Sequence, residues 1–248
     1  MIKYLFLILF FISYLSAGNI NIAVAANVSY AIDDLIRAFN KKYPNIKVNI
    51  TLGSSGKLTA QIKHGAPYDI FMAANMQYPN ALYKSKIAIT APIVYAKGSL
   101  ALLSNKQRSF KKNIEILNSK LVKRIAIANP KTAPYGKAAI EALKNRKIYN
   151  KVKSKLIYAE SASATVSYTL LAADVGIVAK SLLYSKKMRR FKQNIHWIEI
   201  DNSLFTPIKQ GMVILKNGKN NKDAKLFYDF ILTKEAKDIL IKYGYLVR

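Results

Sequence analysis

The sequence predicts an α/β protein built as two doubly wound lobes that are joined by two crossover strands. Two observations lead to this fold class. Short apolar runs alternate with amphipathic stretches at helical spacing, which predicts parallel strands with helices packed on the faces of the sheet. After an extended stretch the alternation begins again near residue 124, and two such units are too much for one small sheet. The chain has 248 residues, 51% of them hydrophobic, which is enough for two modest cores.

The first unit opens with residues 20–26, an apolar run that predicts a buried strand. Between residues 30 and 42 apolar side chains recur on one helical face, and Pro44 ends that helix. The alternating residues 46–50 predict a second strand. The unit is completed by a helix that carries Leu58 and Ile62 and ends near Gly65, and by a strand at residues 69–72.

The second unit repeats the pattern with shorter elements. Its predicted strands and helices are a strand at 124–128, a helix at 135–145, a strand at 156–159, a helix at 162–172 and a strand at 175–178. Small and apolar residues dominate these segments, as expected for elements buried in a parallel sheet or against it.

Extended segments connect the two units. Residues 93–98 and 100–103 are predicted to cross from the first lobe to the second, and residues 197–200 and 210–215 to cross back. A single last helix at about 222–242 is expected to pack on the first lobe. The predicted division is therefore a first lobe of residues 19–97 plus 202–248, a second lobe of residues 98–201, and a cleft with a hinge between them.

The amino terminus reads as a secretory signal peptide over residues 1–18. A basic start at Lys3 precedes about a dozen apolar residues, and small residues follow at Ala17 and Gly18. The alternative is a membrane anchor, but a spanning helix needs about 20 apolar residues and Asn19 and Asn21 interrupt this one earlier. We therefore expect export to the periplasm and removal of this segment.

The chain contains no cysteine, which excludes thiol nucleophiles, disulfides and thiolate metal sites. Its formal charge is +27, and two interpretations of that charge are open. Clustered Lys and Arg would bind nucleic acid or another anionic polymer. Here lysine is spread along the whole chain, which favours a solvated basic surface that attracts anions at long range.

No catalytic or metal-binding constellation is predicted. His64 and His196 lie far apart in the sequence, and residues 53–56 lack the Gly-x-Ser-x-Gly elbow of hydrolases. Tyr243 and Tyr245 suggest a ferric-ion site, although packing of the carboxyl terminus is the simpler interpretation. We therefore expect a binding protein without a cofactor rather than an enzyme.

Four polar turns follow predicted strands and open predicted helices, two in each lobe. They are Ala26–Ser29, Gly53–Gly56, Pro134–Gly136 and Glu160–Ser163. The first N–H groups of a helix have no partner within it and favour an anion. In a parallel sheet such turns lie at the carboxyl ends of the strands, where ligands bind. Ser and Asn are also ordinary N-caps, so it is the set of four matched turns that predicts an anion site.

The polar groups of these turns are neutral donors. Such a site suits a fully ionised oxyanion such as molybdate, tungstate or sulfate, whereas phosphate keeps a proton at neutral pH and would favour a carboxylate acceptor. Glu160 is the one acid in the four turns, and we expect it to cap or pair.

Several of these segments resemble periplasmic molybdate-binding proteins of ABC transporters. The likeness covers nearly the whole mature chain in order. It includes residues 65–74, and its most specific part is Gly65-Ala66-Pro67-x-Asp69-Ile70-Phe71. The other matching segments are residues 25–35, Gly53–Leu58 with Gln61 and Ile62, Pro130–Gly136 with Ala142 and Leu143, Gly176–Val178, and Tyr243–Tyr245.

The resemblance implies a type II periplasmic binding-protein fold, capture of molybdate or tungstate without a coordinated metal, and delivery to a permease of the inner membrane by a protein expected to be a monomer. Carried over by position, the anion contacts fall on Asn27, Ser55, Tyr135 and Ala162, with Ala26 and Ser54 beside them. Asn27 stands where the family often has Ser, and it keeps a donor. Ala162 would act through its backbone N–H.

One position departs from the family pattern. Many members have a Tyr directly after Gly-Ile-Val, whose hydroxyl contacts the anion, and here that residue is Ala179. We expect Tyr135 to supply a hydroxyl from the other side of the site. The alternatives that remain open are a receptor for sulfate or ferric ion and a basic protein that binds nucleic acid or a surface polymer.

Overall fold

The computed structural model describes residues 18–247. Two five-stranded sheets, each with helices around it, form the two lobes. This confirms the predicted two-lobed α/β architecture. The predicted signal peptide lies outside the described residues except for Gly18, which begins the first strand. Within residues 18–247, no helix is both long and apolar enough to cross a bilayer.

The first lobe contains a mixed sheet with strand order β2-β1-β3-β10-β4. Its strands are β1 (Gly18–Ala25), β2 (Ile46–Gly53), β3 (Ile70–Ala73), β4 (Ile93–Gly98) and β10 (Ile208–Ile214), and its helices are α1 (Ala31–Lys42), α2 (Ser55–Lys63), α3 (Gln77–Lys84), α7 (Lys222–Ile231) and α8 (Lys234–Lys242). Leu35, Phe39 and Phe227 are buried in a cluster with residues of β1, whereas Leu58 and Leu82 belong to a separate buried cluster. The sheet therefore has two distinct apolar layers.

The second lobe has the order β7-β6-β8-β5-β9. Its strands are β5 (Leu100–Leu103), β6 (Ile125–Ala128), β7 (Leu156–Ala159), β8 (Val175–Ala179) and β9 (Trp197–Glu199), and its α-helices are α4 (Pro134–Asn145), α5 (Tyr149–Val152) and α6 (Ala162–Leu171). One apolar cluster holds this lobe together. That cluster also includes Ala25 and Ala74 of the first lobe, so apolar packing continues from one lobe into the other.

Parallel pairing places the ligand end of each sheet. β1 pairs in parallel with β2 and β3, and β6 pairs in parallel with β7 and β8. The crossing strands β10 and β4 of the first lobe, and β5 and β9 of the second, pair antiparallel with their neighbours. Since parallel strands end at the same edge of a sheet, the turns that follow β1, β2, β6 and β7 lie at the edges where the lobes meet.

The carboxyl-terminal helix differs from the sequence prediction. Instead of one helix over 222–242, α7 ends at Ile231 and α8 begins at Lys234. Thr233 accounts for the break, because its hydroxyl donates to the Phe230 carbonyl at 2.7 Å and accepts from the Ala236 N–H at 3.3 Å. It thus ends one helix and caps the next. Helix α3 was not predicted either.

Asp69 explains why the segment before β3 is so distinctive in sequence. Its carboxylate is buried and accepts from the Asn21 N–H at 2.7 Å and from Asn217 Nδ2 at 3.0 Å. Its own N–H donates to the Asn21 carbonyl, and its carbonyl accepts from the Leu215 N–H. One residue thereby joins β1, β3 and the end of β10.

We expect Asp69→Ala to lower the free energy of unfolding by about 2–3 kcal/mol, because it removes a buried acceptor that takes hydrogen bonds from the Asn21 N–H and from Asn217. Urea denaturation followed by circular dichroism measures this. Asp238→Ala is the control, since Asp238 forms an exposed i,i+4 pair with Lys234 and its loss should change stability by less than about 0.5 kcal/mol. Equal effects of the two substitutions would contradict this role of Asp69.

Candidate functional site

Several polar contacts join the two lobes, and three of them lie beside the turns at residues 26–29, 53–56 and 160–163. The Gly56 N–H of α2 donates to the Thr132 carbonyl at 2.9 Å. Ser181 Oγ donates to the Asn27 carbonyl at 3.0 Å, and Lys57 pairs with Glu160 at 2.6 Å. Each contact joins the first lobe to the second, so the structure has its lobes closed against one another.

An open cleft of about 350 Å³ lies between the lobes at this edge. Both lobes line it with small, hydroxyl-bearing or polar residues, including Ala26, Ser54, Ser161, Ser163 and Glu160. It therefore brings three of the four predicted turns to one cavity.

The turn after β2 places two serines at the start of α2. Ser54 is the N-cap, and its Oγ accepts from the Lys57 N–H at 3.4 Å. Ser55 is fully buried, and its Oγ accepts from the Ala74 N–H at 2.9 Å. Among the described residues no acceptor takes the hydroxyl hydrogen of Ser55, which leaves it free to donate to an anion.

Asn27 is placed differently from the sequence expectation. Its residue is 1% exposed, in the short 3-10 helix Ala26–Val28 that follows β1. Asn27 Nδ2 donates to Gln210 Oε1 at 2.9 Å and to Tyr245 Oη at 2.7 Å. Since an amide nitrogen carries two hydrogens, both side-chain donors are used inside the protein. The donor that Asn27 was expected to offer an anion is thus reduced to its backbone N–H.

Tyr135 lies at the start of α4, after Pro134 at the first helical position, where the missing N–H costs nothing. The ring is 2% exposed, and its hydroxyl accepts from Gln210 Nε2 at 3.5 Å. Gly98 makes room for it, because a Cβ at residue 98 would overlap the Tyr135 hydroxyl. The hydroxyl therefore lies where the crossing strands meet.

Burial raises the pKa of Tyr135 well above its usual value, and the nearby Tyr245 and Tyr95 hydroxyls raise it further. The phenol thus stays a neutral donor at any physiological pH.

Ala162 opens α6, and Ser161 caps this helix by accepting from the Ala164 N–H at 3.2 Å. The N–H groups of Ala162 and Tyr135 have no backbone acceptor among the described residues. Helix α6 contacts the 3-10 helix Ala26–Val28 of the other lobe. These two N–H groups belong to the second lobe, and the Ser55 hydroxyl belongs to the first. None of the three residues is among those that line the cleft, although their neighbours Ser54, Ser161 and Ser163 are.

Glu160 pairs as expected. The hydrogen bond and charge of Lys57 lower the pKa of Glu160. Its carboxylate is therefore ionised, and the Lys57 ammonium balances its charge at the mouth of the cleft. Both side chains are more than half exposed, and a pair of this kind contributes little stability by itself.

Gln210, Tyr245 and Ser181 contact Asn27 in the structure, although the sequence analysis did not place them at the anion site. Tyr245 is 2% exposed, and its hydroxyl donates to the Asn27 carbonyl at 2.9 Å. The Tyr-Gly-Tyr motif at residues 243–245 was the available signal for it. Gln210 lies in strand β10 and Ser181 in the short helix after β8, and the sequence around them gives no sign of a binding role. Ala179, where the family pattern has Tyr, is buried in β8 beside Leu100.

The ferric-ion interpretation finds no geometric support. Tyr243 Oη donates to Asp34 at 3.0 Å, whereas Tyr245 turns inward to Asn27. Across residues 18–247, His, Cys, Asp and Glu nowhere gather in a group of three that would hold a metal ion.

Sequence comparison assigns the family. Residues 20–246 match the family described as bacterial extracellular solute-binding protein. The chain belongs to this family. Its sequence is 34% identical over 233 residues to the molybdate-binding protein ModA of Azotobacter vinelandii. The alignment spans 92% of this chain and 90% of the relative. The chain is 33% identical to the ModA of Rhodobacter capsulatus over 93% of this chain and 89% of the relative.

Structural comparison agrees with that assignment. The fold of this solute-binding protein matches the periplasmic molybdate-binding protein of Azotobacter vinelandii with a TM-score of 0.85 and 28% identity. The match covers 92% of this chain and 99% of that structure. The predicted resemblance and the type II periplasmic binding-protein fold are thereby confirmed.

Tyr245 should give the stability of this solute-binding protein a distinct pH dependence. Burial raises the pKa of Tyr245 from 10.0 to about 12. A phenol with a raised pKa stabilises the folded state fully below pH 10, and that contribution, on the order of 2–3 kcal/mol, is lost as the pH rises through 12. We expect the difference in unfolding free energy between wild type and Tyr245→Phe to shrink between pH 10 and pH 12. A constant difference across that range, measured by urea denaturation, would contradict the raised pKa of Tyr245.

Proposed function

We propose that this chain is the substrate-binding protein of an ABC importer, which captures molybdate or tungstate by lobe closure and delivers it to a membrane permease. The observation that carries the proposal is the set of unpaired neutral donors at helix starts in both lobes, namely the N–H groups of Tyr135 and Ala162 and the hydroxyl of Ser55. The likeness to two molybdate-binding proteins over nine-tenths of the chain supports the choice of anion.

The chemistry of the cleft favours a fully ionised anion. The acid that lines it is Glu160, and its carboxylate is engaged by Lys57. A protonated phosphate needs an acceptor for its hydrogen, and the one carboxylate among the lining residues is exposed at the mouth and paired with Lys57. Neutral N–H and O–H donors match the four acceptor oxygens of molybdate or tungstate without burying a second charge that must be desolvated.

The proposed contacts are Asn27, Ser55, Tyr135 and Ala162, with Ala26 and Ser54 beside them. Asn27 and Ala162 act through backbone N–H groups, and Ser55 acts through its hydroxyl. The phenol of Tyr135, held by Gln210, supplies the hydroxyl that Ala179 lacks. We place the lobe boundaries at residues 97/98 and 201/202.

The binding cycle follows from the cross-lobe contacts. The anion first meets the donors of one lobe, and rotation at the crossing strands then brings the other lobe over it. The Gly56–Thr132 and Ser181–Asn27 hydrogen bonds form as the cleft closes. The closed form is the one a permease would select. A removable signal peptide at residues 1–18, a periplasmic location and a monomeric state complete the proposal, and the basic surface attracts anions at long range. The family match leaves the nucleic-acid interpretation without support.

Molybdate and tungstate should each raise the melting temperature of the purified protein, and sulfate and phosphate should do so far less. At about 100 times the dissociation constant the stabilisation amounts to about 2.7 kcal/mol. Differential scanning calorimetry at fixed ionic strength measures it. The absence of a shift with both metal oxyanions would rule out the proposed ligand, and a larger shift with sulfate would reassign it.

Ser55→Ala should weaken molybdate binding about 10- to 100-fold, because a hydrogen bond to a charged group contributes about 1.5–3 kcal/mol. Isothermal titration calorimetry gives the affinity. Ser85→Ala serves as the matched control, since the Ser85 hydroxyl donates to carbonyls of α3 far from the cleft. Wild-type affinity in a folded Ser55→Ala variant would remove Ser55 from the site.

A further inference from the structure

Gln210 occupies an unusual position for a polar side chain. It lies on β10, one of the strands that connect the lobes, and it is completely buried. The pairing between β10 and β4 shifts register between Gln210 and Gly211. Opposite this part of β10, β4 ends at Gly98, whose missing side chain leaves space for the Tyr135 hydroxyl and the Gln210 amide.

The amide of Gln210 makes three hydrogen bonds. Its Oε1 accepts from Asn27 Nδ2 at 2.9 Å. Its Nε2 donates to the Ile208 carbonyl at 2.9 Å and to Tyr135 Oη at 3.5 Å. Asn27 belongs to the first lobe and Tyr135 to the second, and both are among the proposed anion contacts. A single buried side chain therefore joins two proposed anion-contacting residues from opposite lobes.

The same network fixes the backbone of the first turn. The Asn27 carbonyl accepts from Tyr245 Oη at 2.9 Å and from Ser181 Oγ at 3.0 Å. Because a peptide unit is planar and trans, the fixed Asn27 carbonyl also fixes the direction of the Val28 N–H. Gln210 and Tyr245 together hold the Asn27 side chain, so the network fixes this side chain and the peptide unit that follows it.

We infer that Gln210 is a positioning residue for anion binding, which holds Asn27 and Tyr135 in register with one another across the hinge. This inference rests on the proposed function and adds to it a residue that does not itself touch the anion. A site preorganised in this way loses less entropy when it binds, whereas a site whose donors move independently binds more weakly.

The decisive experiment is a double-mutant cycle on molybdate affinity. Gln210→Met keeps the length of the side chain and removes its hydrogen bonds, and we expect it to weaken binding about 10-fold. In the Tyr135→Phe background the same change should weaken binding less than about 3-fold, because the two residues act through one contact. Gln193→Met is the matched control, since Gln193 is exposed in the second lobe, and it should bind like wild type.

A purely structural role would give a different pattern. It would lower the melting temperature of the ligand-free protein while affinity effects of Gln210→Met and Tyr135→Phe multiplied independently. Independent effects, or wild-type affinity in Gln210→Met, would overturn the inference while the proposed function stands. If wild-type protein binds neither molybdate nor tungstate, the proposed function fails and the inference fails with it.

A second variant decides the matter if Gln210→Met does not fold. Gly98→Ala leaves Gln210 in place and pushes the Tyr135 hydroxyl away from it, since the new Cβ would overlap that hydroxyl. We expect a similar loss of affinity, and again a smaller one in the Tyr135→Phe background. A folded Gly98→Ala variant with wild-type affinity would overturn the inference.

Discussion

Backbone N–H groups without partners at the starts of helices are the constraint on which this structure depends. Every helix has such groups, and most proteins satisfy them with caps or water. Here Ser54 and Ser161 cap α2 and α6 through the third N–H of each helix. The first N–H of each helix has no backbone acceptor among the described residues. Parallel sheets bring these helix starts to one edge of each lobe, and lobe closure turns the two edges toward one cleft. In the proposed site the ligand pairs with donors that the fold leaves unsatisfied.

The contacts that hold the lobes together lie beside the proposed contacts with the anion, which would couple closure to binding. The Gly56 N–H, a donor that a single lobe could offer to an anion, donates to Thr132 of the other lobe instead. The Lys57–Glu160 pair adds an exposed and salt-sensitive contact at the mouth. Such contacts are individually weak, so the anion contributes the free energy that shifts the population toward the closed state. This arrangement suits a carrier that must also release its cargo.

The buried cluster around Gln210 shows how polar groups at a hinge can serve binding without touching a ligand. Asn27, Tyr135, Tyr245 and Gln210 are all nearly or fully buried. In such surroundings hydrogen bonds are strong and losing one is costly, so the cluster has few alternative arrangements. Burial also keeps the phenols neutral, because it raises the pKa of Tyr135 and of Tyr245. This uncharged cluster at the crossing strands leaves the cleft as the place for the anion's charge.

Local hydrophobic periodicity and capping chemistry act over a few residues. For this reason the alternation of strands and helices, the four polar turns and the restart near residue 124 could be predicted from the sequence. The serines that cap α2 and α6 and the resemblance to the family, most specific between Gly65 and Phe71, are also visible in the sequence. Three features appear only in the tertiary structure. Asn27 uses both side-chain donors in hydrogen bonds within the protein, Thr233 divides the last helix, and Gln210 donates a hydrogen bond to Tyr135. Gln210 and Asn27 are 183 positions apart. Contacts at such separations leave no local pattern, since they depend on how two sheets and their crossing strands pack.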